Sequence, residues 1–568
     1  MNSAEIRKKF LNFFEKNGHK IVPSSSLIPS DPSVLFTSAG MQQFKQYYLG
    51  EPSPYGPNVA SCQKCFRTTD IDEVGDERHL TFFEMLGNFS FGGYFKREAI
   101  KFAFDFLFKE LKIPLSRATF TIFGGDEWVP EDQESFQIWK EMGIPEEKIK
   151  KGSREDNFWG PTGLEGPCGP TTEIYIDGIE VWNLVFNEYY KDRNGKLSYL
   201  KQKGVDTGAG LERMVMVVQG KKNVFETDLF APLINTLRSY QSETKNVRSE
   251  RIIVDHLKGS VFLISDGVLP SNVERGYVLR RILRRAILHS KILALPKFSL
   301  IEIAKKVIEI YHQAYPEILS KQAEILSVIE NENEKFEKIL ENGLKILQSE
   351  IEKCKQKNEK KLSTEIVFDL FQSYGFPIEI TKEIVKNENL EIDEKEFQEK
   401  FKQHQEVSRA GAEKKFGGLG KVTDYNMVRL HTATHLLHAA LRKILGDKVR
   451  QMGSDITPER LRFDFSFDRK LTEEEIKKVE DLVNEKIKED LVVIREEMSL
   501  KEAISSGALA FFKEKYPERV TVYTIGDFSK EICGGPHVKR TSEVGKFKIT
   551  KEESAGRGVR RIYAIVIK

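Results

Sequence analysis

The sequence predicts a multidomain α+β protein. Three observations carry that expectation. Short apolar runs, Gly/Pro turns and helical stretches mix over residues 1–240; Gly and Pro thin out and long helical patterns take over from 241 to 405; helix and alternating strand return over 427–568. At roughly 150 residues per domain, 568 residues suffice for several domains, each large enough to bury a core.

The elements follow in order. Ile6, Phe10 and Phe14 recur every four residues, which predicts a helix with one buried face from near Ser3 to a stop at Gly18. The apolar residues of 97–111 also recur at helical spacing. EIYID (173–177) and VWNLVF (181–186) read as strands, and their mixture with helices suggests an antiparallel sheet. A long helical pattern covers 321–354, with its charges on a solvated face. Residues 406–426 are rich in small and charged side chains and read as a linker. Beyond it come a helix in HTATHLLHAALRKIL (431–445), an alternating strand LRFDFSF (461–467), a charged helix within 471–489 and a closing strand over 560–568. There is no internal repeat.

Composition excludes several classes. Lys plus Arg number 88 and Asp plus Glu 86, a net charge of +2, so the chain has no globally basic coat for nucleic acid, although a local basic face remains open. With 40% hydrophobic and 31% charged residues it is neither disordered nor fibrous. Five cysteines (Cys62, Cys65, Cys168, Cys354, Cys533) are too sparse for a disulfide scaffold and fit a reducing compartment. No apolar run reaches the length of a membrane span, and charges interrupt the apolar residues of the N-terminus, so no signal peptide is read there. The expected location is the cytoplasm.

The strongest spacing signal is metal-like. His431 and His435 lie four apart in a helical pattern, which puts both imidazoles on one face. Cys533-Gly-Gly-Pro-His537 supplies a second pair with the same separation, and the glycines allow a tight turn. Three imidazoles and a thiol make a Zn²⁺ ligand set. The two histidines alone could equally be core or surface residues; the added CxxxH favours the metal. His438, one turn further, suits a supporting or core position better. Cys62 and Cys65 form a lone CxxC and are better read as two buried thiols.

No Walker A motif is present, and no GxGxxG follows a strand. Two other segments stand out, TFFEMLGNFSFGGYF (81–95) and VDTGAGLERM (205–214). Core packing explains most of the first, and a glycine-rich helix start explains the second. An Arg can grip phosphate bidentately and a buried Asp can hold an ammonium, so the residues point to a site for a phosphate and an amine. Arg280, Arg281, Arg284 and Arg285 fall on one side of a helix, either tracking phosphates or forming a solvated basic face.

Taken with SSSLIPSDPSVLFTSAGMQQFK (24–45), DNFWG (156–160), GPCGP (166–170) and PSNVERGYVLRRILRRA (270–286), these motifs closely resemble, in content and order, those of bacterial alanyl-tRNA synthetase, a class II aminoacyl-tRNA synthetase. The likeness runs from residue 3 to about 405 and from about 427 to the end. It implies a catalytic domain over 1–240, built on the class II antiparallel sheet with flanking helices. It further implies an all-helical tRNA-recognition domain over 241–405, a linker over 406–426 and a zinc-binding α/β editing domain over 427–568. The implied activity is ATP-dependent activation of L-alanine and its transfer to tRNA(Ala), with hydrolysis of mischarged seryl- or glycyl-tRNA. Such activation is mostly positioning and charge neutralisation.

The resemblance also implies roles. Arg67 would bridge the alanine carboxylate and the α-phosphate, Arg213 would sit on the γ-phosphate, and Asp206 would hold the amino group. Trp159 and Asn183 would line the amino-acid pocket, with Phe83 and Met85 near the adenine. ATP would bring Mg²⁺. Asn272 matches the reader of a G·U pair, and Arg280, Arg281, Arg284 and Arg285 would follow the tRNA backbone. Glu379 stands where bacterial members place an Asp as second reader. Gln451 and Cys533 match editing-site positions. Zn²⁺ would be held by His431, His435, Cys533 and His537. Pro536 stands where many members have Thr, reshaping that pocket. The family's β-barrel is replaced by a short segment around Phe416–Gly420, and the usual coiled-coil and globular C-terminal domain do not follow, which leads to the expectation of a monomer. Two other functional classes compete: an inactive synthetase paralogue, disfavoured by intact Arg67, Asp206 and Arg213, and an editing-only deacylase, disfavoured by the preceding catalytic region.

Overall fold

The computed structural model describes residues 1–31, 33–241, 246–372, 374, 376–401, 424–509, 518–556 and 558–567. Most of the expected linker, residues 406–423, lies outside the described residues. Its end does not: Asp424 accepts a hydrogen bond from the Asn426 backbone at 2.8 Å and caps a helix that starts at Tyr425, so 424–426 begin the next element.

Met1–Asp393 and Glu394–Lys568 form two compact units. The first is built on a sheet of nine strands: β1 (Lys20–Ile21), β2 (Asn58–Phe66), β3 (Phe82–Phe91), β4 (Ala118–Phe123), β5 (Ile149–Gly152), β6 (Phe158–Trp159), β7 (Gly166–Ile176), β8 (Ile179–Lys191) and β9 (Leu197–Gly210). Their order is β1-β2-β3-β9-β8-β7-β4-β5, with β6 alongside β7. The pairing is antiparallel except at the rims, where β1–β2 and β4–β5 run parallel. The two strands expected over 173–186 are β7 and β8. Asp177 and Gly178 join them, both at positive φ (52° and 77°), the geometry that a two-residue hairpin with right-handed twist demands.

The first helix, Ser3–Lys16, starts with reciprocal bonds between Asn2 and Glu5 and buries Ile6, Phe10 and Phe14. The Phe10 ring meets Phe106 and Trp182 at centroid distances of 5.3 and 5.7 Å. The expected helix over 97–111 is α-helical for Lys96–Phe104 and then widens into a π-helical segment, Asp105–Glu110.

The expected helical region packs onto the sheet inside the same unit. Of the 19 residues in the Val247–Ser265 helix, 16 are buried. Its Phe262 ring stacks on Phe82 of β3 with centroids 3.9 Å apart. Buried charges are matched in pairs, Lys258 with Glu212 and Arg7 with Glu84, each at 2.7 Å. Helices Glu274–Ile292, Ser299–Tyr311, Gln322–Gln356, Thr364–Gln372 and Ile378–Asn387 complete the region. It is not all-helical as expected, because Lys361–Leu362 and Glu391–Ile392 pair as a short parallel ladder.

In the second unit, helices Tyr425–Leu445 and Glu473–Lys488 cover a four-stranded antiparallel sheet, ordered Gln451–Ile456, Leu461–Ser466, Val559–Ile567, Lys546–Gly556. Leu437, Phe463, Val483, Phe547 and Ile562 belong to the shared core. A three-stranded antiparallel sheet follows: Val493–Ser499, Arg519–Ile525 and Ser529–Ile532. No helix among the described residues is long and apolar enough to cross a membrane.

Candidate active site and metal centre

A cavity of about 290 Å³ opens on the sheet of the first unit. Arg67, Phe83, Met85, Trp159, Asn183, Asp206 and Arg213 all line it, although they span almost 150 positions of sequence. Strand pairing explains the convergence. Val185 faces Asp206 and Asn183 faces Gly208 across β8–β9, so Asn183 and Asp206 are diagonal neighbours on one face. Met85 faces Gly210 across β3–β9. A Cβ on Gly208 would stand 2.9 Å from Met85 Sδ, so the glycine keeps that floor open.

The charges are unevenly satisfied. Asp206 is buried, and burial alone pushes its carboxyl up to about 7. No side chain among the described residues pairs with it as a salt bridge. Beside it, Asn183 donates through Nδ2 to Glu173 Oε1 at 2.9 Å and leaves its buried Oδ1 without a partner. A buried carboxylate and an orphaned amide oxygen on one face of the sheet form an acceptor site for an ammonium group. Burial also pushes Glu173 up to about 7, against a hydrogen bond from Tyr175.

The cationic side lies opposite. Arg67 leaves β2 with its guanidinium 4.9 Å above the Phe83 ring, and its Nε donates only weakly to Ser38 O at 3.4 Å. It too has no carboxylate partner among the described residues. One face of Phe83 is therefore taken by Arg67. Arg213, in the first turn of the Leu211–Val218 helix, donates to Glu180 Oε2 at 3.0 Å. Arg78 and His79 add two more cavity-lining donors that the sequence reading missed; only their position in the loop before β3 would have hinted at them.

The helical residues separate into two groups. Arg280 donates to the Asn272 side chain, and Tyr277 donates to Glu379 at 2.5 Å. Tyr277 and Arg280 are three apart on one helix, so Asn272 and Glu379 are drawn to the same helix face. The arginine row corrects the sequence reading. Arg284 pairs with Glu332 at 2.8 Å, and Arg281 pairs with Asp72 at 2.6 Å. Arg285 is buried and bonds Ile71 O and Glu383, so it presents no free guanidinium to a phosphate. Helical spacing placed the four on one side; it could not show that Arg285 is buried while Arg280, Arg281 and Arg284 stay half-exposed.

Cys62 and Cys65 are both buried on β2. Three positions apart on a strand, they point to opposite faces and cannot share an ion. Burial raises both thiols well above their ordinary range.

In the second unit, His431, His435, Cys533 and His537 bring one ligand atom each within 4.8 Å of one another. Each imidazole is oriented through its far nitrogen. His431 Nδ1 faces Pro536 O at 3.1 Å, His435 Nδ1 faces Glu531 at 2.7 Å, and His537 Nδ1 faces the Thr432 hydroxyl at 3.2 Å. This leaves the Nε2 atoms for the centre. His431 Nε2 lies 3.4 Å from Cys533 Sγ, and His537 Nε2 is buried with no partner. Burial opposes ionisation of Cys533, but bonds from His431 and His435 carry its thiol down to about 2. A thiolate, three oriented imidazoles and an orphaned nitrogen fit a borderline-soft divalent ion such as Zn²⁺. Of the two glycines, only Gly535 is sterically required: a Cβ there would stand 2.2 Å from His431 Cε1, while Gly534 faces open space.

Glu531 escaped the sequence reading. It also accepts from His438 Nδ1 at 2.9 Å, so one carboxylate orients two histidines and His438 takes the supporting position expected of it. Gln451 begins its strand and donates to Ser454 Oγ at 3.1 Å.

The family model for class II (A) tRNA synthetases matches residues 5–445, and that for the second additional domain of threonyl and alanyl tRNA synthetases matches 520–563. An alanine–tRNA ligase of Borrelia hermsii is 47% identical, with all of this chain aligned to all of that protein. The chain belongs to the alanine–tRNA ligase family. Within the family, the ligase of Treponema pallidum is 45% identical over 100% of this chain and 98% of its own length. That of Thermotoga is 40% identical over 100% of this chain and 80% of its own. The Borrelia hermsii and Treponema pallidum ligases are thus covered over 100% and 98% of their own length.

Proposed function

We propose that the chain is an alanine–tRNA ligase that activates L-alanine with ATP and passes it to tRNA(Ala). The observation that carries this is the pairing, in one cavity, of an unpartnered buried carboxylate, Asp206, with an unpartnered guanidinium, Arg67. An amino acid satisfies both at once. Its ammonium goes to Asp206 and Asn183 Oδ1. Its carboxylate goes toward Arg67, which also meets the α-phosphate and neutralises charge as pyrophosphate leaves. Arg213 sits on the γ-phosphate, sharing its guanidinium with Glu180. Trp159 and Asn183 line the amino-acid pocket, Phe83 and Met85 lie toward the adenine, and ATP brings Mg²⁺.

The tRNA side of the reading rests on Asn272 and Glu379. An amide and a carboxylate on one helix face suit the minor-groove edge of a G·U pair. The second unit is proposed to edit. A pocket for alanine cannot strongly reject serine or glycine, so a separate hydrolytic site supplies the missing discrimination. His431, His435, Cys533 and His537 would hold Zn²⁺, which would supply a fixed positive charge there. Gln451 and Cys533 are proposed to shape the editing pocket. The chain is proposed to act in the cytoplasm as a monomer.

The test is alanine-dependent ATP–pyrophosphate exchange, followed by charging of an acceptor-stem minihelix carrying G·U against one carrying G·C. Exchange with alanine and charging of the G·U helix alone are expected. An inactive paralogue gives neither.

A further inference from the structure

We infer that Arg285 is a positioning residue for amino-acid activation: it fixes the loop between β2 and β3 against the catalytic cavity. The inference rests on the reading of the chain as an alanine–tRNA ligase. It assigns to this arginine a task that needs no tRNA.

The loop leaves β2 at Arg67 and enters β3 at Phe82. It supplies Arg67, Asp70, Arg78, His79 and Leu80 to the cavity. Between those residues its outer part turns inward, with Ile71, Val74 and Gly75 buried. Its ends meet through Arg67 N–H donating to Thr81 O at 2.9 Å and short turns fold its middle, but no named strand lies over 67–81, so outside contacts add to its hold.

Val224 N–H donates to Glu77 O at 3.4 Å, and the closer grip comes from two helices. Arg285 Nη1 donates to Ile71 O at 2.6 Å, and its Nη2 reaches Val74 O at 3.5 Å. Arg251 Nη1 reaches Gly75 O at 3.4 Å. At the far end of the loop, Asp255 accepts from the Thr81 backbone at 3.0 Å and from its hydroxyl at 2.7 Å. The two anchors are one network. His256 lies 2.9 Å from Asp255 through Nδ1 and 3.2 Å from Arg285 through Nε2. Glu383 closes it, taking Arg285 Nε at 2.9 Å and Nη2 at 3.1 Å and facing His289 Nε2 at 3.1 Å.

Only a guanidinium can do this. Arg285 uses its planar fork to meet a carboxylate on one edge and two carbonyls and an imidazole on the others. A lysine has one compact ammonium and cannot span those acceptors. Gly75 marks how close the fit is. It sits at φ +119°, and a Cβ there would stand 2.8 Å from Arg248 Cγ.

The cavity residues on this loop include two guanidinium groups, Arg67 and Arg78, whereas the acceptors for the alanine ammonium, Asp206 and Asn183, lie on β9 and β8. Loosening the loop should therefore damage the binding of phosphate and of the alanine carboxylate, which share Arg67, and spare the ammonium acceptors. Small misplacements of catalytic groups are costly in rate.

The experiment compares Arg285→Lys and Glu383→Gln with the unmodified full-length chain in alanine-dependent pyrophosphate exchange, without tRNA. Melting curves establish a temperature at which each is folded. A rise of about ten-fold or more in KM for ATP, with a rise in KM for alanine through the shared Arg67 and an unchanged minihelix Kd, is expected in both variants. A smaller folded fraction would lower the rate and leave both KM values alone, which overturns the inference. So does unchanged exchange with weaker, less salt-dependent minihelix binding, the behaviour of a phosphate contact. Absence of exchange in the unmodified chain removes the functional reading and this inference with it. Exchange that persists unaltered in both variants removes this inference alone.

Discussion

Asp206 in the first unit and Glu531 in the second are both enclosed carboxylates, yet one faces no cation and the other sits between two imidazoles. Burial raises the first to about 7, whereas His435 and His438 hold the second far below its ordinary value despite burial. A carboxylate that the protein leaves uncompensated costs the folded state free energy that a ligand can return. A carboxylate that the protein satisfies is a strut, and the ligand site lies one residue further out, on the imidazoles it orients. Substrate recognition and metal support thus use the same side chain under opposite accounting of charge.

Removing each carboxylate separates the two. Asp206→Ala should lower alanine-dependent exchange by about 10²-fold or more, since a buried charge pair broken on one side costs roughly 3–5 kcal/mol; an unchanged rate contradicts the assignment. Glu531→Gln should weaken Zn²⁺ binding about 10- to 100-fold in chelator competition and leave exchange intact. Equal zinc affinity would mean that the imidazoles need no strut.

The same burial of Asp206 sets a pH dependence. A carboxyl raised from its ordinary value to about 7 is fully tolerated at pH below about 4, where it is protonated in both folded and unfolded chains. As pH rises through that interval the unfolded chain ionises first, and stability is lost until about pH 7, on the order of 4 kcal/mol in total. Alanine binds the ionised form, so its KM should rise about ten-fold per pH unit below about 7 and level off above. A profile flat from pH 6 to 8 would assign the amine to another group.

The two sites were unequally legible. HxxxH and CxxxH are short, and helical spacing alone placed the first pair on one face. Glu531 and Thr432 were not legible, because the far nitrogens of imidazoles find partners through tertiary contact rather than spacing. The cavity of the first unit was legible only through family likeness. Its residue types suggested a phosphate and an amine, but β8–β9 register, which sets Asn183 beside Asp206, is a property of the sheet. The strands at 173–186 were clear, and the wider sheet order was not. Arg285 shows the limit most sharply: periodicity gives a direction around a helix axis, and burial depends on what stands there.

The Val247–Ser265 helix carries one more consequence. With 16 of its 19 residues enclosed, it is the inner wall of the sheet as much as the start of the helical region. Cut from the chain at residue 240, the sheet would expose Phe82 and leave Glu212 without Lys258. Sheet and helices should therefore open together as one cooperative block, with the slowest amide exchange along this helix and on β3.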